Sequence, residues 1–138
     1  MSIKKVLVLG STGSIGINTL KVIERFPDRF KVVGLSAFSN VELLRRQICR
    51  FSPKAVAVGP ESIGYLRKEI GNRSAKIFDA TTEIEELVAL KEVDIVVLGI
   101  QGSAALRPFL TAVRLGKRIT PANKEALSWE PPRLPRYL

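Results

Sequence analysis

Val6-Leu7-Val8-Leu9-Gly10-Ser11-Thr12-Gly13-Ser14-Ile15-Gly16 is the stretch on which the fold turns. An apolar run ends in closely spaced glycines and passes directly into a helical pattern. A backbone approaches a diphosphate in this way. Gly10 suits the positive φ of a tight turn, Gly13 has no Cβ to hold a phosphate away, and Gly16 lets the first helical turn pack closely on the strand. The N–H groups at the start of such a helix, unpaired within it and aligned with its dipole, form an anion site. The motif points to nucleotide or dinucleotide binding. Its G-x-x-G-x-x-G spacing is not the commonest G-x-G-x-x-G, and an ordinary strand-to-helix turn gives the same pattern.

The chain has 138 residues, 46% hydrophobic and 25% charged, which suits one globular domain and not a disordered segment. No apolar run reaches the ~18 residues that span a bilayer. Met1-Ser2-Ile3-Lys4-Lys5 leads straight into a strand, so the expected compartment is cytoplasmic, with no membrane partner. Cys49 is the single cysteine and histidine is absent, which excludes a disulfide scaffold, a Cys/His zinc site and a His-based triad. A net charge of +9 would suit a nucleic-acid binder. The basic residues are scattered, however, without a long run, interleaved aromatics or a recognised motif. A basic surface favouring a polyanionic cofactor or a phosphorylated substrate is the better reading, and no nucleic acid is expected.

Short β-branched runs alternate with longer helical patterns. Strands are expected at Lys5–Leu9, Phe30–Ser36, Ala55–Val58, Lys76–Phe78, Asp94–Ile100 and Lys117–Thr120. Helices are expected near Ser14–Arg25, Asn40–Phe51, Glu61–Ile70, Thr82–Leu90 and Ser103–Leu115. Val41, Leu44, Ile48 and Phe51 share one helical face, as do Leu106, Phe109, Leu110 and Val113. Thr82 and Glu85 have the spacing of a capping box. Ile95-Val96-Val97-Leu98 is apolar on both faces, as in a parallel sheet covered by helices on both sides. The expected fold is α/β: a doubly wound parallel sheet of Rossmann type, a single domain over residues 1–127. Residues 128–138, with prolines at Pro131, Pro132 and Pro135, read as an irregular tail.

Two further stretches carry chemistry. About twenty residues beyond the glycines, an NAD-specific domain usually places an acid on the ribose 2′-hydroxyl. Here Gly34-Leu35-Ser36-Ala37-Phe38-Ser39-Asn40 contains none. A carboxylate would repel a 2′-phosphate, whereas Ser39 and Asn40 can donate to it, with Arg45 and Arg46 a turn further on; NADP is favoured over NAD. Ser39 and Asn40 also suit a helix cap, and both roles can coexist. The other stretch is Ala122-Asn123-Lys124-Glu125-Ala126-Leu127, at the carboxyl end of the last strand. A lysine there suits a phosphate or a polarised oxygen, although a Lys–Glu pair at a helix start is commonly just a solvated face.

Together these stretches resemble one family closely, the 1-deoxy-D-xylulose 5-phosphate reductoisomerases. The resemblance is carried by Gly10–Gly16, Asn18-Thr19-Leu20, Pro27-Asp28-Arg29-Phe30, Ser39-Asn40-Val41, Phe51-Ser52-Pro53, Gly102-Ser103-Ala104-Ala105-Leu106 and above all Ala122–Leu127. It runs in order over residues 3–127. It implies NADPH bound through Thr12, Gly13, Ser14 and Ile15, with Asn40 at the second strand's end, beside the Gly10 and Ser39 already read as cofactor-binding from the residues themselves. Asn123 and Glu125 would contact the cofactor, and Lys124 a phosphosugar substrate. The implied reaction rearranges 1-deoxy-D-xylulose 5-phosphate and reduces it to 2-C-methyl-D-erythritol 4-phosphate, in non-mevalonate isoprenoid synthesis. The resemblance also implies a divalent Mg or Mn cation and a homodimer for the complete enzyme.

This chain departs from the family at Phe38, where glycine is common, and at Gln101, where an apolar residue is usual. The family's metal ligands follow the Asn-Lys-Glu motif in an Asp-x-Glu stretch and a later Glu, so no metal ligand and no catalytic residue is expected within these residues, and the fragment alone should be inactive. Ser128-Trp129-Glu130 is what a Val-Met-Gly coding run gives after loss of one base, so the tail is expected to be non-native or frameshifted. The alternatives are a stand-alone NADP-binding or regulatory module, or another NADP-dependent oxidoreductase such as an aspartate-semialdehyde dehydrogenase relative. The last needs a nucleophilic cysteine in a later loop, whereas Cys49 falls mid-helix beside an apolar stripe and is expected to be packing.

Overall fold

The computed structural model describes residues 2–71 and 75–121. Asn123, Lys124, Glu125 and the expected tail 128–138 lie outside the described residues. The strands are β1 (Lys4–Leu9), β2 (Phe30–Ala37), β3 (Ala55–Val58), β4 (Lys76–Asp79), β5 (Ile95–Leu98) and β6 (Arg118–Pro121). The helices are α1 (Ser14–Arg25), α2 (Val41–Phe51), α3 (Ile63–Ile70), α4 (Ile84–Val88) and α5 (Leu106–Arg114). The strands form one six-stranded sheet ordered β4-β3-β2-β1-β5-β6. Every pairing is parallel, so the expected doubly wound sheet is the observed one.

The chain winds outward from β1 to β4, then returns to lay β5 on the free side of β1. The strand order therefore reverses between β1 and β5. In such sheets the ligand crevice opens at this switch point, beyond the carboxyl ends of the strands.

Alternation along the strands divides the core in two. Val6 and Val8 face Leu20 and Ile23 of α1, Leu44 and Ile48 of α2, and Leu66 and Ile70 of α3. Leu7 and Leu9 face Leu87 and Val88 of α4 and Ala112 of α5. Within β5, Ile95 and Val97 join the first cluster and Val96 the second, which explains why that strand is apolar on both faces. The register of β2 on β1 slips between Val6 and Leu7, so Val32 pairs with Val6 but Gly34 with Leu7. This bulge carries Leu35 back to the same cluster as Val32.

Several local expectations are corrected. The helix expected at Glu61 begins as a 3-10 turn, Pro60–Ser62, because Pro60 has no N–H and Ser62 bonds instead to Gly59 O at 2.9 Å. The Ser103 helix likewise opens with a 3-10 turn at Gly102–Ala105. β5 stops at Leu98, where Gly99 N turns to donate to Leu9 O at 2.8 Å. The Thr82–Glu85 capping box does not form; Glu83 Oε1 instead accepts from Asp79 N at 2.8 Å, and Asp79 Oδ1 takes Thr81 N and Oγ1. α4 accordingly keeps only Ile84–Val88. In α5 the sheet-facing residues are Pro108, Thr111 and Ala112, while Leu106, Phe109 and Leu110 are exposed. Cys49 is exposed on α2, not packed.

Among the described residues no helix is long and apolar enough to cross a membrane. Leu44, fully buried on α2, touches the larger cluster. Leu44→Ala is expected to cost about 2–5 kcal/mol. A lower denaturation midpoint with an unchanged m-value would register that loss.

Candidate functional site

At the switch point three backbone segments meet with no side chain between them. Gly10 has φ +73°, and a Cβ there would lie 2.6 Å from Gly99 O. A Cβ on Gly16 would lie 2.2 Å from Gly10 O and 2.6 Å from Ser11 Cα. The ends of β1 and β5 and the start of α1 are thus pressed together, and only glycine fits at the two contact positions. Gly13 differs: its nearest neighbour to a built Cβ is Gly10 O at 3.7 Å, so it fronts open space.

Gly13 is the N-cap of α1 and supplies no side-chain cap; the first turn holds no acid. The first backbone bond of the helix is Ile17 N to Gly13 O at 2.9 Å. The N–H groups of Ser14, Ile15 and Gly16 therefore have no intrahelical partner. Gly13 and Ser14 are exposed, and Thr12 and Ile15 are half-buried. The sequence-predicted turn is brought together as one mouth of unspent donors at the positive end of a helix, the geometry that accepts a phosphate.

Beneath the turn lies a polar cluster that sequence reasoning missed. Ser11 is buried, and its N–H donates to Ser36 O at 2.8 Å. Gly10 N donates to Ser36 Oγ at 3.0 Å. Gln47, buried on α2, donates from Nε2 to Ser11 O at 2.8 Å and accepts from Ser11 Oγ at 2.7 Å. One signal was available: Gln47 falls between Leu44 and Ile48 on the apolar face of its helix, where a polar residue must find partners.

The end of β2 forms the neighbouring wall. Phe38, Ser39 and Asn40 are all exposed there, with Phe38 at 65%. Asn40 caps α2, its Oδ1 accepting from Leu43 N at 3.3 Å, which leaves its amide N–H groups as donors. Gly59 sits behind Phe38, donating its N–H to Phe38 O at 3.1 Å. Arg45 is not available in the way the sequence suggested: it is paired with Glu42 at 2.7 Å. Glu42 also accepts from Tyr65 OH at 2.6 Å, tying α2 to α3.

That tie has a defined pH range. The Tyr65 hydroxyl, then the Arg45 guanidinium, hold the Glu42 carboxyl below its ordinary 4.5. This contribution is present at neutral pH and is lost as acid protonates Glu42. The same hydrogen bond pushes the Tyr65 phenol from 10.0 up to about 12, so its contribution is complete below the ordinary phenol value and fades as pH rises towards about 12. No three His, Cys, Asp or Glu side chains among the described residues are grouped to hold a metal ion.

A family profile described as 1-deoxy-D-xylulose 5-phosphate reductoisomerase matches residues 6–129. The chain belongs to this family. The reductoisomerase of Thermoanaerobacter sp. (strain X514) is 45% identical over 124 residues, covering 90% of this chain and 32% of the relative. That of Thermodesulfovibrio yellowstonii is 48% identical over 124 residues, 89% of this chain and 32% of the relative. Among solved structures, DOX-P reductoisomerase in complex with NADPH, fosmidomycin and magnesium superposes with a TM-score of 0.83 at 33% identity, over 91% of this chain and 31% of that one. The Zymomonas mobilis reductoisomerase in complex with NADPH gives 0.80 at 34% identity, over 91% and 33%. The chain thus spans about a third of the length of the reductoisomerases it matches.

Two outcomes follow for the reductoisomerase turn. Gly16→Ala drives a methyl into the Gly10 and Ser11 backbone and should lower the thermal midpoint sharply, whereas Gly13→Ala should leave it nearly unchanged; differential scanning fluorimetry compares them. Ultraviolet titration should show a tyrosine ionising near 12 that disappears in Tyr65→Phe and moves towards 10.0 in Glu42→Gln.

Proposed function

We propose that this chain supplies the NADPH-binding part of a reductoisomerase. The complete enzyme rearranges 1-deoxy-D-xylulose 5-phosphate and reduces it to 2-C-methyl-D-erythritol 4-phosphate. The observation that carries this reading is the uncapped N-terminus of α1, fixed at the switch point by the Gly10, Gly16 and Gly99 contacts. The residues fit the cofactor. A Cβ on Gly13 would enter the open mouth, and no acid stands between Gly34 and Asn40 to repel a 2′-phosphate.

Gly10 then shapes the turn, its own N–H given to Ser36 Oγ, and Thr12, Gly13, Ser14 and Ile15 line the diphosphate, mainly through backbone N–H groups at the start of α1. Ser39 Oγ and the Asn40 amide donate to the 2′-phosphate, and the exposed Phe38 ring offers a stacking face to the adenine. Arg45 acts indirectly, by neutralising the charge that Glu42 would otherwise add on the helix that Asn40 caps. Asn123 and Glu125 contact the cofactor, and Lys124 the phosphosugar. NADPH, when bound, supplies the hydride for the reduction. The divalent Mg or Mn ion of the complete enzyme is assigned no ligand among the described residues, where no three His, Cys, Asp or Glu side chains are grouped to hold one. The described residues are assigned cofactor binding, not the chemical step. We place the enzyme in the cytoplasm as a homodimer, with no nucleic-acid partner.

Titration of the chain with NADPH and NADH tests this reading. NADPH should bind at least roughly tenfold more tightly, a difference of about 1.4 kcal/mol. Asn40→Asp keeps the cap but adds a charge, so it should weaken NADPH while leaving NADH unchanged. Gly13→Ala should weaken both. Equal affinity for the two dinucleotides, or binding of neither, overturns the assignment, and turnover of the pentulose phosphate by the chain with Mg²⁺ overturns the restriction to binding.

A further inference from the structure

We infer that Gln47 is a positioning residue for the dinucleotide: a buried amide on α2 that fixes the course of the phosphate-binding turn by gripping Ser11 at two points. The inference rests on the reading of that turn as the diphosphate seat and adds a residue that touches no ligand.

Gln47 occupies a place on α2 where packing alone calls for an apolar side chain. It lies next to Ile48 and one turn beyond Leu44, and it is 7% exposed. A buried amide costs free energy unless both its ends are bonded. Here both ends are bonded, and to the same residue. Nε2 donates to Ser11 O at 2.8 Å, while Oε1 accepts from Ser11 Oγ at 2.7 Å. With Ser11 N already given to Ser36 O, the backbone N–H, the carbonyl and the hydroxyl of Ser11 are all committed inward. Residue 11 is therefore held on both sides of its Cα, which sets the direction in which Thr12 and Gly13 leave the strand.

Two consequences follow. The Ser11 hydroxyl faces the protein and is withheld from the ligand, so the diphosphate is left to the donors of residues 12–16. The clamp also joins the turn to the helix that Asn40 caps, seven positions before Gln47, so one rigid element relates the diphosphate end of the seat to the 2′-phosphate end. Leucine at 47 would fill similar space but take away the donor to the Ser11 carbonyl, while the hydroxyl would keep Ser36 O, 3.2 Å away, as its acceptor. Glutamate would still accept from the hydroxyl, yet only its protonated form could donate to the carbonyl.

The test compares Gln47→Leu, Gln47→Glu and the full 138-residue wild type for binding of NADPH, NADH and 2′-AMP, which carries the 2′-phosphate without a diphosphate. Gln47→Leu should weaken NADPH and NADH by a common factor of roughly tenfold, the equivalent of about one lost net hydrogen bond or slightly more, and leave 2′-AMP unchanged. NADH affinity of Gln47→Glu should recover towards wild type as pH falls, because the neutral carboxyl restores the donor. Ile70→Val, a core change far from the turn, should lower the thermal midpoint without altering any of the three affinities. If Gln47→Leu does not fold, the pH recovery of Gln47→Glu decides. Wild-type NADH affinity in folded Gln47→Leu, equal weakening of 2′-AMP, or no pH recovery in Gln47→Glu overturns the inference alone. Wild-type protein that binds neither dinucleotide overturns the functional reading with it.

Discussion

A carbonyl oxygen stands where residue 16 would carry its Cβ: the built atom falls 2.2 Å from Gly10 O, and one on residue 10 falls 2.6 Å from Gly99 O. This backbone-to-backbone contact at the top of β1 and β5 is the constraint on which the site depends. It puts the start of α1 directly over the strand ends at the one place where the strand order reverses. It also leaves the N–H groups of Ser14, Ile15 and Gly16, which have no intrahelical partner, at the carboxyl end of the sheet. Side chains at 10 or 16 would push the helix off the sheet, and the donors would no longer converge.

Around that contact, packing and polar bonding divide the labour. The two apolar clusters hold the sheet between its helices without reference to any ligand. The turn itself contains little that could bury apolar surface, so its shape is fixed by the hydrogen bonds of Ser11, Ser36 and Gln47. A small buried polar cluster of this kind is favourable because every member is satisfied, and removing one partner exposes the desolvation cost of the others. The same logic governs the far wall, where Glu42 is tolerable on the helix that Asn40 caps because Arg45 and Tyr65 occupy it.

The sequence gives good access to whatever depends on near neighbours. α1 was legible from Ser14 to Arg25 because a glycine turn starts it and a continuous apolar stripe runs through it. β3 was legible at Ala55–Val58 as a short apolar run between breakers. In α5 spacing groups Leu106, Phe109, Leu110 and Val113 on one face, yet the first three are exposed, Val113 is half-buried, and the smaller Pro108, Thr111 and Ala112 are the buried residues. Periodicity identifies a stripe but does not say which stripe is turned inward, because small residues allow the closer approach. The Thr82 cap failed for a related reason: Glu83 had a better acceptor role with Asp79 N, set by how β4 ends.

What the amino-acid sequence determined by itself is the alternation of strands and helices, the glycine turn after β1, and the lack of an acid between Gly34 and Asn40. These follow from local backbone preferences and from residue chemistry at fixed spacing. Only the tertiary structure decided where the strand order reverses, that Tyr65 of α3 reaches Glu42, and that Gln47 grips Ser11 from 36 residues away. Such bonds connect segments whose distance along the chain carries no signal. Their geometry exists only once the first cluster has packed α2 against the sheet and brought its buried face under the turn.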